Sequence, residues 1–296
     1  MLPERGIFLE KAHSGELRDL AHHLSEAITH CQLCPHRCGV DRTRQTGYCA
    51  QTDKARLTNA VVHTGEEPPL IEGAGAGAVF FSGCTMRCVY CQNFGFSQLN
   101  TGFDHHDETL AEIFLSLQKK GVSNLDLVSP TPHLRAIVSA LDIGARKGLT
   151  LPVVYNTSSY ESVETLQWMD GVVDLYLADI RYTTEAYGMK YSGVKDYWSV
   201  ARKAIREMFR QVGSRRLIIR LLVLPEGING TREALRFVYE ELSPKVHISL
   251  MSQYFPVYKA LDLPPLNRKI TAREYEEASA LLDEFGFENG WLQDFS

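Results

Sequence analysis

The chain has 296 residues, 44% of them hydrophobic, enough to bury the core of one large or two medium domains. Lys and Arg total 31 against 36 Asp and Glu, a formal charge of −5, and no block of five or more basic residues occurs, which argues against a phosphate-tracking nucleic-acid binder. The N-terminus is broken by charges every few residues and no apolar run reaches the roughly 18 residues of a membrane span, so a soluble, cytoplasmic protein with no membrane partner is expected.

Residues 7–29 carry Phe8, Leu9, Leu17, Leu20, Ala21, Leu24, Ala27 and Ile28 at helical spacing, predicting a helix or helix pair interrupted near Ser14-Gly15. Segment 30–50 is cysteine-rich and loop-like, with Pro35, Gly39 and Gly47. EGAGAGA (72–78) precedes a strand rather than following one. It therefore reads as a flexible turn, not a dinucleotide fingerprint. Short, β-branched apolar runs then recur at 78–81, 125–128, 152–155, 172–178, 217–224 and 246–251, the mark of buried strands. Between them, 107–121 has acidic residues at its start and Lys119, Lys120 and Gly121 at its end, 197–213 ends in Gly213, and 231–244 is stopped by Pro244. Six strands alternating with helices predict parallel βα units, as an open doubly wound sheet or a complete or partial barrel. In both, functional groups lie just beyond the C-terminal ends of strands.

All seven cysteines lie in the first 91 residues: Cys31, Cys34, Cys38 and Cys49, then Cys84, Cys88 and Cys91. In a reducing compartment such clustering means metal or redox chemistry rather than disulfides. The second group, in GCTMRCVYCQN (83–93), has the spacing C-x3-C-x2-C directly after the strand at 78–81. Three thiolates on one compact loop match three corners of a 4Fe-4S cube and leave its fourth iron open to a small molecule. Electron-transfer ferredoxins use four cysteines instead. An open ligand position is what inner-sphere chemistry needs, as in catalytic zinc sites. Zinc and a lone redox cluster are the competing occupants.

This spacing, with an aromatic residue before the last cysteine and six βα units behind it, resembles the radical S-adenosylmethionine (SAM) superfamily. YCQN continues like the glycyl-radical-enzyme activating enzymes. The stretches CQLCPHRCGVDR, HTGEEPPL, FFSGC, VYNTSSY and LMSQYFP are similar to the uncharacterised branch related to pyruvate formate-lyase activating enzyme. The resemblance spans about residues 30–292. It implies an α/β fold, a partial (β/α)6 TIM-type barrel over 71–296, behind an N-terminal helical and cysteine-rich extension over 1–70. It further implies that Cys84, Cys88 and Cys91 hold a 4Fe-4S cluster whose open iron is chelated by SAM. Reductive cleavage then gives a 5′-deoxyadenosyl radical that takes hydrogen from substrate. The substrate class it favours is a glycine of a glycyl radical enzyme, with flavodoxin or ferredoxin as external electron donor. The rivals are a small-molecule or other peptide substrate and, from a different class, a two-site iron–sulfur electron carrier.

Carried over position by position, Asn156 matches the ribose contact, and Asp179 with Arg181 the acid–base pair after the fourth strand. The family commonly has Lys at the second position, and Arg changes a point charge to a planar fork. The glycine-glycine-acid amine motif is replaced by VSPTPH, so Ser129 or Thr131 is the expected amine contact. Tyr90 and Asn93 in the cysteine motif, and Gln253 after the sixth strand, complete the expected cofactor contacts. Arg220 lies in an otherwise apolar strand, where an unpaired guanidinium is costly. It is expected to meet a substrate or cofactor carboxylate, with a structural ion pair as the alternative. His63, His105, His106, His133 and His247 read mainly as solvated or structural, and Tyr155 and Tyr254 as lining.

Cys31-x2-Cys34-x3-Cys38-x10-Cys49 supplies four thiols among glycines and a proline, suiting zinc or a second 4Fe-4S cluster equally. The functional reading is an electron relay or substrate dock, and the structural one a clip for the N-terminal helices. His36 is unnecessary as a ligand in either.

Overall fold

The computed structural model describes residues 1–295. The chain is α/β, and the nine strands found among the described residues lie in a sheet that does not close, the partial TIM-type class expected. No helix among them is long and apolar enough to cross a membrane. Two compact units make up the chain. One comprises 1–85, 95–157 and 161–176, and the other 86–94, 158–160 and 177–296.

In the first unit, α1 (Phe8–Ser14) and α2 (Glu16–Ala27) are separated at Gly15, whose φ of 90° is open to glycine, as the sequence predicts. Leu17 and Leu24 on α2 are fully enclosed. Strand β1 (Ala55–His63) was not expected, because its half-exposed face breaks the apolar run by which buried strands are recognised. It runs antiparallel to β2 (Ala76–Phe81), pairing Leu57 with Phe81 and His63 with Ala76. A short helix, α3 (Phe94–Ser97), precedes β3 (Phe103–His105), which pairs antiparallel with β1. Helix α4 (Asp107–Lys119) leads to β4 (Leu125–Val128), parallel to β2. Helix α5 (Leu134–Arg146) packs on α2 and starts from His133 without a side-chain cap, so no local signal marks it. Strand β5 (Val153–Thr157) is parallel to β4 and wholly buried. Helix α6 (Val163–Trp168) and β6 (Leu175–Asp179) follow, the last three residues of β6 belonging to the second unit.

One expectation is corrected here. EGAGAGA is not a free turn, because Ala76–Ala78 open β2. A Cβ on Gly77 would stand 2.7 Å from the Asn124 carbonyl oxygen, and the Gly77 amide donates to that same oxygen at 3.0 Å. The glycine is there for close backbone approach.

In the second unit, α7 (Glu185–Ser192) and α8 (Tyr197–Val212) precede β7 (Leu217–Leu222). Next come α9 (Thr231–Glu241), β8 (His247–Met251), α10 (Ala272–Phe285) and β9 (Gly290–Leu292). Strands β7, β8 and β9 are parallel neighbours in that order. Helix α9 stops at Glu241, three residues before Pro244, because Leu242 already leaves helical geometry at ψ −87°. Helix α10 opens on a complete capping box between Thr271 and Glu274.

Candidate iron-sulfur centre

The cysteine loop GCTMRCVYCQN runs from the C-terminal end of β2 through both units. Its first part is held entirely within the first. Ser82 is fully buried, and its amide donates to the Arg56 carbonyl at 2.9 Å. His133 is also buried. Its Nδ1 receives the Arg56 amide at 3.5 Å, so Nε2 carries the proton and lies 2.8 Å from the Ser82 carbonyl oxygen. Burial pushes its pKa down to about 4, keeping the ring neutral in this bracing role. Gly83 has φ +75°, and a Cβ there would fall on the Cys49 carbonyl oxygen and the Gln51 amide. The cradle before Cys84 therefore requires glycine.

The same contacts show what the N-terminal four-cysteine segment rests against. Gly83 backs onto Cys49, and His36, stacked 3.6 Å from Tyr48, meets the Thr85 carbonyl oxygen through Nε2 at 2.7 Å. The segment thus braces the Cys84 loop as well as following the N-terminal helices. Arg42, which the sequence did not single out, is 2% exposed and donates to the carbonyls of Gln51, Thr52 and Pro132. Cys31 closes a tight knuckle: its amide donates to Val40 and its carbonyl accepts from Gly39, both at 2.9 Å. All seven cysteines are unbridged. Burial pushes the Cys34 and Cys49 thiols up, and each is raised further by other members of the set: Cys49 and Cys31 act on Cys34, Cys31 and Cys38 on Cys49. A Cβ on Gly47 would come within 2.7 Å of the Cys38 sulfur.

The second part of the loop lies in the second unit. Cys88 and Cys91 are joined by a turn, the Cys91 amide donating to the Cys88 carbonyl at 3.3 Å. The Arg87 and Val89 amides, flanking Cys88, donate at 2.8 and 2.9 Å to the carbonyls of Ser192 and Tyr191 at the end of α7. Burial raises the Cys88 pKa, opposed first by the positive charge of Arg181. Asp179 stands between two guanidinium groups, with Oδ2 2.6 Å from Arg181 Nη2 and Oδ1 2.6 Å from Arg220 Nε. Arg181 is therefore the charge that opposes burial at the Cys88 sulfur, while Asp179 acts the other way.

Among the described residues no three or more His, Cys, Asp or Glu side chains stand arranged to hold a metal ion. The fit to a cluster rests on donor chemistry. The loop carries three unbridged thiols, it is cradled by an obligate glycine, and the Cys88 sulfur already accepts a hydroxyl hydrogen bond at 3.0 Å from Ser192.

The other expected site residues divide. Asp179 and Arg181 form the expected pair, but Arg220 is tied to that same carboxylate, which is the ion-pair alternative for it. Thr131 is buried and engaged, donating to Glu161 Oε1 at 2.6 Å and sharing a 3.0 Å hydrogen bond with the Tyr155 hydroxyl. Ser129 adopts φ 58° at the end of β4, a strained backbone of the kind found at functional sites. Asn156 is buried and reaches Asp126 at 3.5 Å. Tyr90 is enclosed, edge-on to Tyr182 and Tyr254. Asn93 and Gln253 are exposed, and the Gln253 carbonyl accepts from the Gln92 side chain at 3.2 Å.

Glu161 was missed, since nothing local distinguishes it. It is fully buried, receives Thr131 and Thr157 on Oε1, and its Oε2 has no hydrogen-bond partner. Burial drives its pKa from 4.5 to about 7. The folded chain therefore keeps a proton that the unfolded chain has released between about pH 4.5 and 7. The stability this group contributes is full below pH 4.5 and is lost as pH rises through 7, by at most about 3 kcal/mol. Glu161→Gln should flatten that decline in urea unfolding followed from pH 4.5 to 8. An unchanged slope would show that Glu161 is ionised throughout.

Residues 71–171 match the family model of a 4Fe-4S single cluster domain (Fer4_12), a stretch that contains Cys84, Cys88 and Cys91 and excludes the four N-terminal cysteines. Over 268 residues the chain is 31% identical to "Uncharacterized protein MJ0674" of Methanocaldococcus jannaschii, covering 87% of this chain and 75% of that protein. The crystal structure of HydG, a maturase of the [FeFe]-hydrogenase, superposes with a TM-score of 0.48 at 14% identity, over 71% of this chain and 48% of HydG. The chain thus spans about half of that structure.

Proposed function

The chain belongs to the family of the Methanocaldococcus jannaschii protein, and from that premise we propose that it is a radical SAM enzyme. The observation that carries the proposal is a three-thiol loop at the end of β2, inside a matched 4Fe-4S cluster domain, with no cysteine after residue 91. Cys84, Cys88 and Cys91 would hold the cluster. Bound together, cluster and SAM supply one-electron cleavage of the sulfonium and hydrogen-atom abstraction.

The chain's own groups prepare that chemistry. His133 and Gly83 fix the start of the loop, and the end of α7 fixes the backbone on both sides of Cys88. Asp179 accepts from both Arg181 and Arg220, so Arg181 is held in one orientation with its positive charge toward the Cys88 sulfur. Asn156, steadied by Asp126, takes the ribose, and Ser129 at its strained turn takes the methionyl amine. Thr131 is less suited to that contact because Glu161 and Tyr155 already occupy its hydroxyl. The four N-terminal cysteines bind zinc or a second cluster and stiffen the Cys84 loop through Cys49 and His36. Activating-enzyme chemistry on a glycine of a glycyl radical enzyme, with electrons from flavodoxin or ferredoxin in the cytoplasm, is the specific role we favour.

Anaerobically reconstituted, dithionite-reduced protein should convert SAM to methionine and 5′-deoxyadenosine. A sample with an intact cluster that never forms 5′-deoxyadenosine would sink the radical reading and leave the electron-carrier one. A glycyl doublet in the electron paramagnetic resonance spectrum of an added glycyl radical enzyme would support the finer assignment. Turnover without that doublet would favour a small-molecule or other peptide substrate.

A further inference from the structure

We infer that Ser192 is a positioning residue for the iron–sulfur centre, its hydroxyl holding the Cys88 sulfur and setting how readily the cluster accepts an electron. The inference rests on the reading that Cys88 is a cluster ligand.

Ser192 is the last residue of α7, followed by Gly193, whose φ of 64° turns the chain out of the helix. It meets the cysteine loop twice. Its carbonyl accepts the Arg87 amide at 2.8 Å, and its Oγ donates to the Cys88 Sγ at 3.0 Å. With its proton given to sulfur, the Ser192 oxygen is left to accept from the Tyr182 hydroxyl, 2.8 Å away, a hydroxyl that also bonds Tyr90. This makes a directed chain from Tyr182 through Ser192 to Cys88. Ser192 and Tyr182 are fully buried and Cys88 is only 6% exposed, so water neither competes for these hydrogen bonds nor screens them.

A simple packing role would not need this direction. An alanine would fill nearly the same volume, and the backbone bond from Arg87 would survive. The hydroxyl adds a partial positive charge against a ligand sulfur. Reduction of a cluster puts more negative charge on its sulfur ligands, so a donor at sulfur stabilises the reduced form more than the oxidised one. Hydrogen bonds to the sulfurs are one of the levers by which proteins set cluster potentials. A second donor behind the first polarises it and strengthens the effect. Ser192 therefore raises the midpoint potential and eases reduction of the centre by its donor protein.

The test is a potentiometric titration of the reconstituted, SAM-free cluster in the full chain, followed by its visible absorption. Iron and sulfide content should be equal in all samples. Ser192→Ala should move the midpoint in the negative direction, by up to about a tenfold change in the reduction equilibrium, ~59 mV for one electron. Tyr182→Phe should move it the same way by less, since the Ser192 hydroxyl remains. That variant decides the matter if Ser192→Ala will not hold its cluster. Wild-type midpoints in both variants would overturn the inference, as would a wild-type chain that assembles no cluster. Shifted midpoints in chains that never cleave SAM would keep the inference and discard the proposed enzymatic function.

Discussion

Cys88→Ala is expected to reduce 5′-deoxyadenosine production from SAM to background while leaving the chain folded. Cys88 is the middle cysteine of the loop and the most buried of the three, at 6% exposed. Ser192 donates to it, and Arg181 supplies the charge that opposes the effect of burial. On the proposed reading, a loop that loses its middle thiol keeps only two ligands, too few to hold the cluster. The fold is less exposed to the change. The loop backbone on both sides of Cys88 is held by amide bonds to Ser192 and Tyr191 that do not use the sulfur. Cys34→Ala is the contrasting variant: with the N-terminal site only a clip it keeps SAM cleavage, the bracing of Cys84 running through the His36 ring and the Cys49 carbonyl, and with that site an electron relay it loses it. Product formation and iron content of both variants decide the point. Undiminished product from Cys88→Ala would remove the three-cysteine cluster from the mechanism.

Asp179→Asn is expected to cost stability on a scale few single substitutions reach. One carboxylate answers two guanidinium groups, whose side chains are 27% exposed for Arg181 and 15% for Arg220. Breaking such a pair from one side leaves the other charges desolvated and uncompensated, at about 3–5 kcal/mol. Arg220→Met should cost less, since Asp179 still has Arg181 and the apolar surroundings accept the methionine. Urea unfolding of the three proteins should rank them wild type, Arg220→Met, Asp179→Asn. Equal midpoints for wild type and Asp179→Asn would mean that solvent already screens the pair. The substitution should also weaken SAM binding, because Arg181 loses the partner that orients it.

Much of the architecture was legible because its signals are local. The runs LDLV and PVVY are largely apolar without strict alternation, which only strands covered on both faces tolerate, and the strands they mark, β4 and β5, are wholly buried. Helix α4 was readable from its acidic start and the glycine beyond its end. Strand β1 was not, because ARLTNAVVH is half solvated and its pairing with β2 and β3 depends on chain brought from elsewhere. The three-residue strands β3 and β9 carry too little pattern to be recognised.

The candidate site divides along the same line. By itself the sequence determined the three thiols and their spacing, since C-x3-C-x2-C is a local constellation of eight residues. It also determined that the polar groups near Ser129, Asn156 and Asp179 end strands. Tertiary structure alone decided how those groups are employed. Arg220 meets Asp179 across 41 residues, Thr131 meets Glu161 across 30, and Ser192 meets the Cys88 sulfur across 104. Periodicity and spacing carry information over a few residues, whereas the partner of a buried polar group is whichever atom the packed fold brings within about 3 Å. The loop's cysteine spacing was therefore written locally, and the hydrogen bonds and charges around it were set only by folding.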